Sequence, residues 1–228
     1  MKTEKFLCIL TLLFASRFSI AGDSALYAGI AVGSSSISFN SQDFSSPSPS
    51  NARNEGPTIE KDTGYKLLIG YHFDKTWDIE GGYTHHGKFQ FRSTNLDRID
   101  SVFDYSASSW YLAGKGTLPV TETIGVFGKL GLAVNTAKTN YWGDTSHALL
   151  LPLLPGTVIS EPNLASYITP GSYSKISTAP LIGFGVEYAA WKDMKIRLEY
   201  ENYGKFGGQT TTGRADIGTT SLVILHIF

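Results

Sequence analysis

Residues 180–200 read PLIGFGVEYAAWKDMKIRLEY, Pro180 to Tyr200. The stretch is mostly apolar and aromatic, yet Glu187 stands between Val186 and Tyr188, and Arg197 between Ile196 and Leu198. A lone charge in apolar surroundings is costly unless it is paired. Successive side chains of a strand point to opposite faces. Two strands around a short AAWKD turn (Ala189–Asp193) therefore put Val186, Tyr188, Ile196 and Leu198 on one face and both charges on the other.

The same period of two runs through the whole chain. It marks eight segments: Ala25–Ile37, Thr63–Phe73, Trp77–His86, Ser108–Leu118, Ile124–Thr136, Ser177–Tyr188, Met194–Tyr203 and Thr219–Phe228. In nearly every one, one face is apolar and aromatic. The other mixes Gly, Ala and small polar residues with an isolated charge. In the first segment Leu26, Ala28, Ile30 and Val32 oppose Tyr27, Gly29, Ala31 and Gly33. A soluble sheet usually carries several exposed Lys, Glu, Thr or Ser residues on its polar face. A glycine-rich face with one charge per strand fits a narrow, crowded interior, so the pattern predicts an inside-out barrel with apolar residues facing lipid.

The connections agree. DKT (Asp74–Thr76), PVTET (Pro119–Thr123) and AAWKD are short, and they alternate with long links over 39–62, 87–107, 137–176 and 204–218. Outer-membrane barrels have short turns at one end and long loops at the other. Tyr71, Phe73, Trp77, Tyr188, Trp191 and Phe228 fall at the short-turn end; Tyr65, Tyr83, Trp110, Tyr200 and Tyr203 fall toward the long-link end. Two aromatic bands around an apolar zone are what bilayer interfaces select. The predicted fold is all-β, an eight-stranded antiparallel up-and-down transmembrane β-barrel. Eight strands leave an interior about filled by its own side chains, which argues against a general diffusion porin.

The chain's first residues read differently. Lys2 and Lys5 precede the apolar FLCILTLLF (Phe6–Phe14), and SIA (Ser19–Ala21) has the small-x-small form of a cleavage site. The expectation is a secretory signal over residues 1–21 and a barrel domain over 22–228. The sole cysteine, Cys8, lies in that leader, so disulfides and thiolate metal sites are not expected in the exported part. Of 19 basic and 20 acidic residues, the leader holds Lys2, Lys5, Arg17 and Glu4, leaving a net charge of about −3. That argues against a nucleic-acid partner. Apart from the leader, no apolar run approaches the ~20 residues of a transmembrane helix.

Turning the apolar faces outward turns Lys66, Asp78, Glu80, Lys115, Lys129, Glu187 and Arg197 inward. Buried charges of both signs are tolerable as a hydrogen-bonded network. The planar guanidinium of Arg197 suits two carboxylates at once. The expectation is that Arg197 and Lys115 lie between Glu80 and Glu187. A structural ion-pair layer is the favoured reading of these groups, with a proton-handling pair or a gate as alternatives.

TGYKLLIGYHF, IEGGYTHHG, FGKLGLA, APLIGFGVEYA and IRLEYENYG resemble the β-barrel domain of the OmpA-like outer membrane proteins, segment by segment over residues 22–228. The most specific part is the pair GVEY and RLEY around a short turn. The resemblance implies a lumen salt-bridge network of Glu80, Lys115, Glu187 and Arg197, with an Arg that switches partners to open a narrow path. It also implies outer-membrane lipid and lipopolysaccharide as surroundings, and periplasmic chaperones and the barrel-assembly machinery as partners. Phe228 resembles the terminal aromatic that this machinery reads. Many members continue into a peptidoglycan-binding domain; the resemblance covers the barrel alone, and no such anchoring is claimed. Val223, Leu225 and Ile227 are unusually apolar for a lumen face.

The adjacent His85 and His86 point to opposite faces of a strand and cannot readily chelate one ion. Both are expected at the outer rim, and no metal or cofactor site is expected. Some barrels of this size are lipid-A-modifying enzymes, but neither His85 nor Ser146–His147 comes with an evident third orienting group, so no catalytic residue is assigned. The long links carry what is individual to this chain. SSPSPSNARNEGP (Ser45–Pro57) reads as flexible, and ALLLPLLPG (Ala148–Gly156) is apolar for an exposed loop. The expected function is structural and surface-facing, with loops open to recognition or adhesion. A lipid-A-modifying enzyme and a narrow gated pore are the alternatives.

Overall fold

The computed structural model describes residues 25–38, 53–94, 100–144, 171–208 and 212–228. The strands are β1 (Ala25–Ser38), β2 (Arg53–Ile59), β3 (Lys61–His72), β4 (Trp77–Thr94), β5 (Asp100–Pro119), β6 (Ile124–Asp144), β7 (Gly171–Trp191), β8 (Met194–Gly208) and β9 (Gly213–Ile227). β2 and β3 both pair with β4 and are separated only by Glu60, so together they make one interrupted wall strand. Counted so, eight wall strands pair antiparallel with their neighbours, and β1 closes the barrel on β9. Residues 1–21, Ser146–His147 and Ala148–Gly156 lie outside the described residues, as does the 45–52 part of Ser45–Pro57. The rest of that stretch, expected to be flexible, is strand instead, with Arg53, Asn54 and Pro57 paired to β4.

The outward face is apolar over a limited height. On β6, Val126, Leu130, Leu132 and Val134 point outward, with Leu130 68% exposed; above them come Thr136, Lys138 and Asn140. On β5 the outward sequence runs Leu118, Leu112, Trp110 and then Ser108, Ser106 and Asp104. Tyr65, Tyr83, Trp110 and Tyr200 mark the upper boundary. Phe73, Trp77 and Trp191 mark the lower one. A closed girdle of exposed Leu, Ile, Val and aromatic residues would be intolerable in water and is what lipid requires.

β5, β6 and β7 run past the ends that alternation suggested, to Asp100, Asp144 and Gly171. Above Trp110 and Val134 the outer face turns polar while the inner face carries Tyr105, Ala107 and Ala137, so the apolar-outward signal stops while the hydrogen-bond ladder continues. The 21 residues of β6 span about 70 Å along the strand, or about 50 Å of height at the usual tilt, against an apolar band of about 25 Å.

One expectation about faces changes. Tyr203 belongs to the interior, not to the upper aromatic band: it shares parity with Arg197 and is fully buried. The apolar inner face of β9 has its own partners. Val223 and Leu225 pack with Tyr27, Ala31 and Leu68 in an apolar sector of the lumen. Tyr27 lies over Gly70, where an added Cβ would fall 2.1 Å from the ring Cζ.

Candidate functional site

The interior is stacked in layers, and strand parity decides which side chains enter them. At the short-turn end, the His72 imidazole bonds Asp78. Asp78 Oδ2 accepts from Lys115 Nζ at 2.7 Å, and Lys115 Nζ also donates to Glu187 Oε2 at 2.8 Å. Lys195, near the mouth, donates to Glu187 Oε1 at 3.0 Å.

Arg197 stands next. Its Nη1 donates to Glu80 Oε2 at 2.8 Å, its Nη2 lies 3.5 Å from Glu187 Oε2, and its guanidinium sits 4.8 Å from the Phe127 ring centre. Glu80 is the best-supplied acid of the lumen. Beyond Arg197 it accepts from Tyr27 Oη (3.1 Å), Tyr111 Oη (3.0 Å) and Lys129 Nζ (2.6 Å). Lys129 reaches three carboxylates, adding Glu199 at 2.8 Å and Glu201 at 2.9 Å. Lys66 bonds Glu199 as well, and Glu201 at 2.7 Å. Tyr203 Oη donates to Glu201 at 2.7 Å and meets Thr84 Oγ1 at 2.8 Å.

Lys115 thus has Asp78, not Glu80, as its second carboxylate, while Arg197 lies between Glu80 and Glu187. The reason is height: Asp78 pairs directly across the sheet with Lys115, whereas Glu80 pairs with Ala113. Glu199 and Glu201 escaped the sequence reading, although the signal was present. In RLEYENY, Arg197, Glu199, Glu201 and Tyr203 have one parity, so one inward residue entails the others. Five acids (Asp78, Glu80, Glu187, Glu199, Glu201) face four buried bases (Lys66, Lys115, Lys129, Arg197), and Lys195 supplies a fifth cation. Burial of so many charges is tolerable because these acids have cationic partners within ion-pair distance.

Above this lies an uncharged relay. His86 is fully buried, not at the rim. Its Nε2 is 2.9 Å from Ser109 Oγ, whose own hydrogen goes to Asn135 Oδ1 at 2.7 Å. Nε2 is therefore the donor to Ser109, and Nδ1 accepts from Thr219 Oγ1 at 3.0 Å. Asn135 Nδ2 continues to the Tyr203 carbonyl at 2.8 Å. His85 points outward against Tyr65, ring centres 5.0 Å apart. The bulge after His85, with Gly87 at φ 91°, resets the parity of β4 so that Phe89 enters the interior. Ile37, Phe89, Tyr105, Ala107, Ala137, Phe206, Ala215 and Ile217 then form an apolar layer over the relay. Among the described residues no cluster of three or more His, Cys, Asp or Glu side chains is arranged to hold a metal ion.

A family model described as the OmpA-like transmembrane domain matches residues 21–228. Outer membrane protein A of Shigella flexneri is 26% identical over 176 residues, which is 77% of this chain and 43% of that protein. Outer membrane protein A of Serratia marcescens is 25% identical over 209 residues, 90% of this chain and 50% of that protein. The chain spans about half the length of the curated relatives it matches. Among solved structures, the outer membrane protein AlkL, determined by solid-state NMR in DMPC bilayers, is similar with a TM-score of 0.52 at 11% identity. That alignment covers 93% of this chain and 94% of AlkL and bears on the fold alone.

Proposed function

The chain belongs to the OmpA-like transmembrane domain family and is an outer-membrane β-barrel, and on that premise we propose a structural and surface-facing role for it. The barrel spans the outer membrane within lipid and lipopolysaccharide, and its outer strand ends and loops serve recognition or adhesion. One observation carries this reading: β4–β7 continue as ordered sheet well above the apolar band, over a lumen filled by ion pairs and capped by apolar side chains. Such a molecule offers a partner its outer end, not a passage. The network of Glu80, Lys115, Glu187 and Arg197, widened by Asp78, Lys66, Lys129, Glu199 and Glu201, acts as the internal strut. Residues 1–21 serve as the export signal, and chaperones and the barrel-assembly machinery deliver the chain.

An enzymatic role has less support. The one close Ser–His contact described, Ser109 with His86, is sealed inside the barrel, and the Ser109 hydrogen points to Asn135 rather than to the imidazole. The test combines two measurements. A deletion strain complemented with the wild-type chain should regain attachment to surfaces, and the purified barrel should show baseline conductance in a planar bilayer. Steady conductance together with unchanged attachment would refute the reading in favour of a pore.

A further inference from the structure

The barrel wall is split above the apolar band, and the split is built from residue type. β7 and β8 pair from Trp191↔Met194 only as far as Ile182↔Asn202, yet β7 runs on to Gly171 and β8 to Gly208. Pro180 sits just past the last pair. Ala189 N–H donates to Thr123 O at 2.8 Å, and the β6–β7 register then holds without a shift from Tyr188 to Gly171. Odd-numbered residues of β7 therefore bond β6, and even-numbered ones face the other side. Pro180 is even, so the donor it lacks is one that β8 would have needed. Its carbonyl lies 3.2 Å from where a Gly204 Cβ would stand, which places it on that side. Gly204, at φ 67°, breaks the line of β8, and the β8–β9 register shifts there. The last described link to β7 is a side-chain one, Ser177 Oγ donating to the Lys205 carbonyl at 3.2 Å.

Above the split, β4, β5, β6 and β7 stand as an open sheet with β2 at its far edge. The β7 edge presents the backbone N–H and C=O groups of Ser172, Ser174 and Ile176, which pair with no described strand. Their side chains are exposed. Such a row of donors and acceptors at strand spacing is matched by an extended polypeptide. Lysines flank it. Lys138 is exposed beside the edge, its Cα opposite Ser174; Lys175 is exposed on the edge itself; Lys205 is half-exposed, with Asp216 only at 3.9 Å. Lysines on an edge deter neutral or basic strands and a second copy of the same edge, and they favour an acidic one.

The geometry points to the β7 edge, Ser172–Ile176, as a strand-addition site for an extended acidic segment of another protein. This inference rests on the surface-facing role above and names the class of partner. The backbone supplies affinity at the even-numbered positions; Lys138, Lys175 and Lys205 select for acidic side chains.

The test uses the full chain folded in lipid nanodiscs and a labelled ten-residue peptide alternating Glu and Val, with a Lys–Val peptide as control. The Glu–Val peptide should bind and move the amide signals of Ser172, Ser174 and Ile176, while the Lys–Val peptide should not. Ile176→Pro removes one edge donor and leaves the β6 ladder intact, so binding should weaken about tenfold. Lys175→Glu, which alters no backbone group, should weaken it similarly and abolish its salt dependence in part. Heat-modifiable gel mobility verifies that both variants fold. Equal binding of the two peptides, or undiminished binding by folded Ile176→Pro, overturns the proposal. Cells carrying Ile176→Pro separate the two levels: wild-type attachment removes the edge site and leaves the surface role standing, whereas a wild-type strain that attaches no better than the deletion strain removes the surface role itself.

Discussion

Lys129→Met isolates what the lumen network contributes. Lys129 Nζ lies 2.6, 2.8 and 2.9 Å from oxygens of Glu80, Glu199 and Glu201, and its side chain has no solvent exposure. Methionine keeps most of the volume, so the loss is the charge. Glu80 retains Arg197 and its two tyrosines, and Lys66 retains Glu199 and Glu201, but three carboxylates are left sharing two cations. Removing one partner of a buried ion pair typically costs ~3–5 kcal/mol, because the survivor stays buried without compensation. Three contacts put Lys129→Met at the upper end of that range. The measurement is urea unfolding in lipid vesicles followed by tryptophan fluorescence, for which Trp77, Trp110 and Trp191 are reporters, exposed to lipid at 60, 65 and 67% of their surface. Lys205→Met is the control: that pair stands at 3.9 Å with side chains 48 and 45% exposed, and exposed pairs contribute only about 0–1 kcal/mol. Adding Glu80→Gln to Lys129→Met should recover about 0.5–3 kcal/mol by coupling. A Lys129→Met cost below about 1 kcal/mol, equal to the control, would refute the network as the strut of the barrel.

Three further outcomes follow from local geometry. Gly70→Ala drives a methyl into the Tyr27 ring, 2.1 Å away, and pushes the phenol off Glu80; it should lower the unfolding free energy by about 1–3 kcal/mol, while Gly114→Ala, whose Cβ meets only the Leu130 carbonyl at 3.9 Å, should stay within about 0.5 kcal/mol of wild type. His86→Leu strips Ser109 and Thr219 of one partner each and should cost about 1–3 kcal/mol in the same assay while leaving lipid A acylation unchanged by mass spectrometry. Asp74 accepts from the backbone N–H groups of Thr76 and Trp77 at 2.7 and 2.8 Å in the turn outside the membrane, and these donors hold its carboxyl below the ordinary value. Its depressed value means the turn is favoured at pH above the ordinary carboxylate range and loosens as pH falls through the depressed one. A carbon-detected NMR titration should place the Asp74 midpoint below ~3.9, with Thr76 and Trp77 amide exchange rising in step; an ordinary midpoint would contradict the turn geometry.

The sequence by itself determined the side to which most residues of the apolar band point, though not Tyr203 or the part of β4 beyond its bulge. Alternation is a local property of an extended chain, so Glu187 and Arg197 could be turned inward from their neighbours alone, and the short and long links could be assigned to opposite ends. The same parity held Glu199 and Glu201, and their role was legible in RLEYENY once Arg197 was turned inward. The tertiary structure decided height and partnership. Glu80 and Lys129 are 49 residues apart in sequence and 2.6 Å apart in space, and only the stagger of the closed barrel sets which inward charges share a level. It likewise decided that Lys115 meets Asp78, that His86 joins a sealed relay, and that the apolar face of β9 finds Tyr27 and Leu68. The strand ends above the membrane were invisible for a related reason. Apolar-outward alternation reports lipid on one side of a wall, and where the wall leaves the lipid that signal inverts, with Tyr105 and Ala107 inside and Asp104 and Ser106 outside, so it no longer marks where the strand stops.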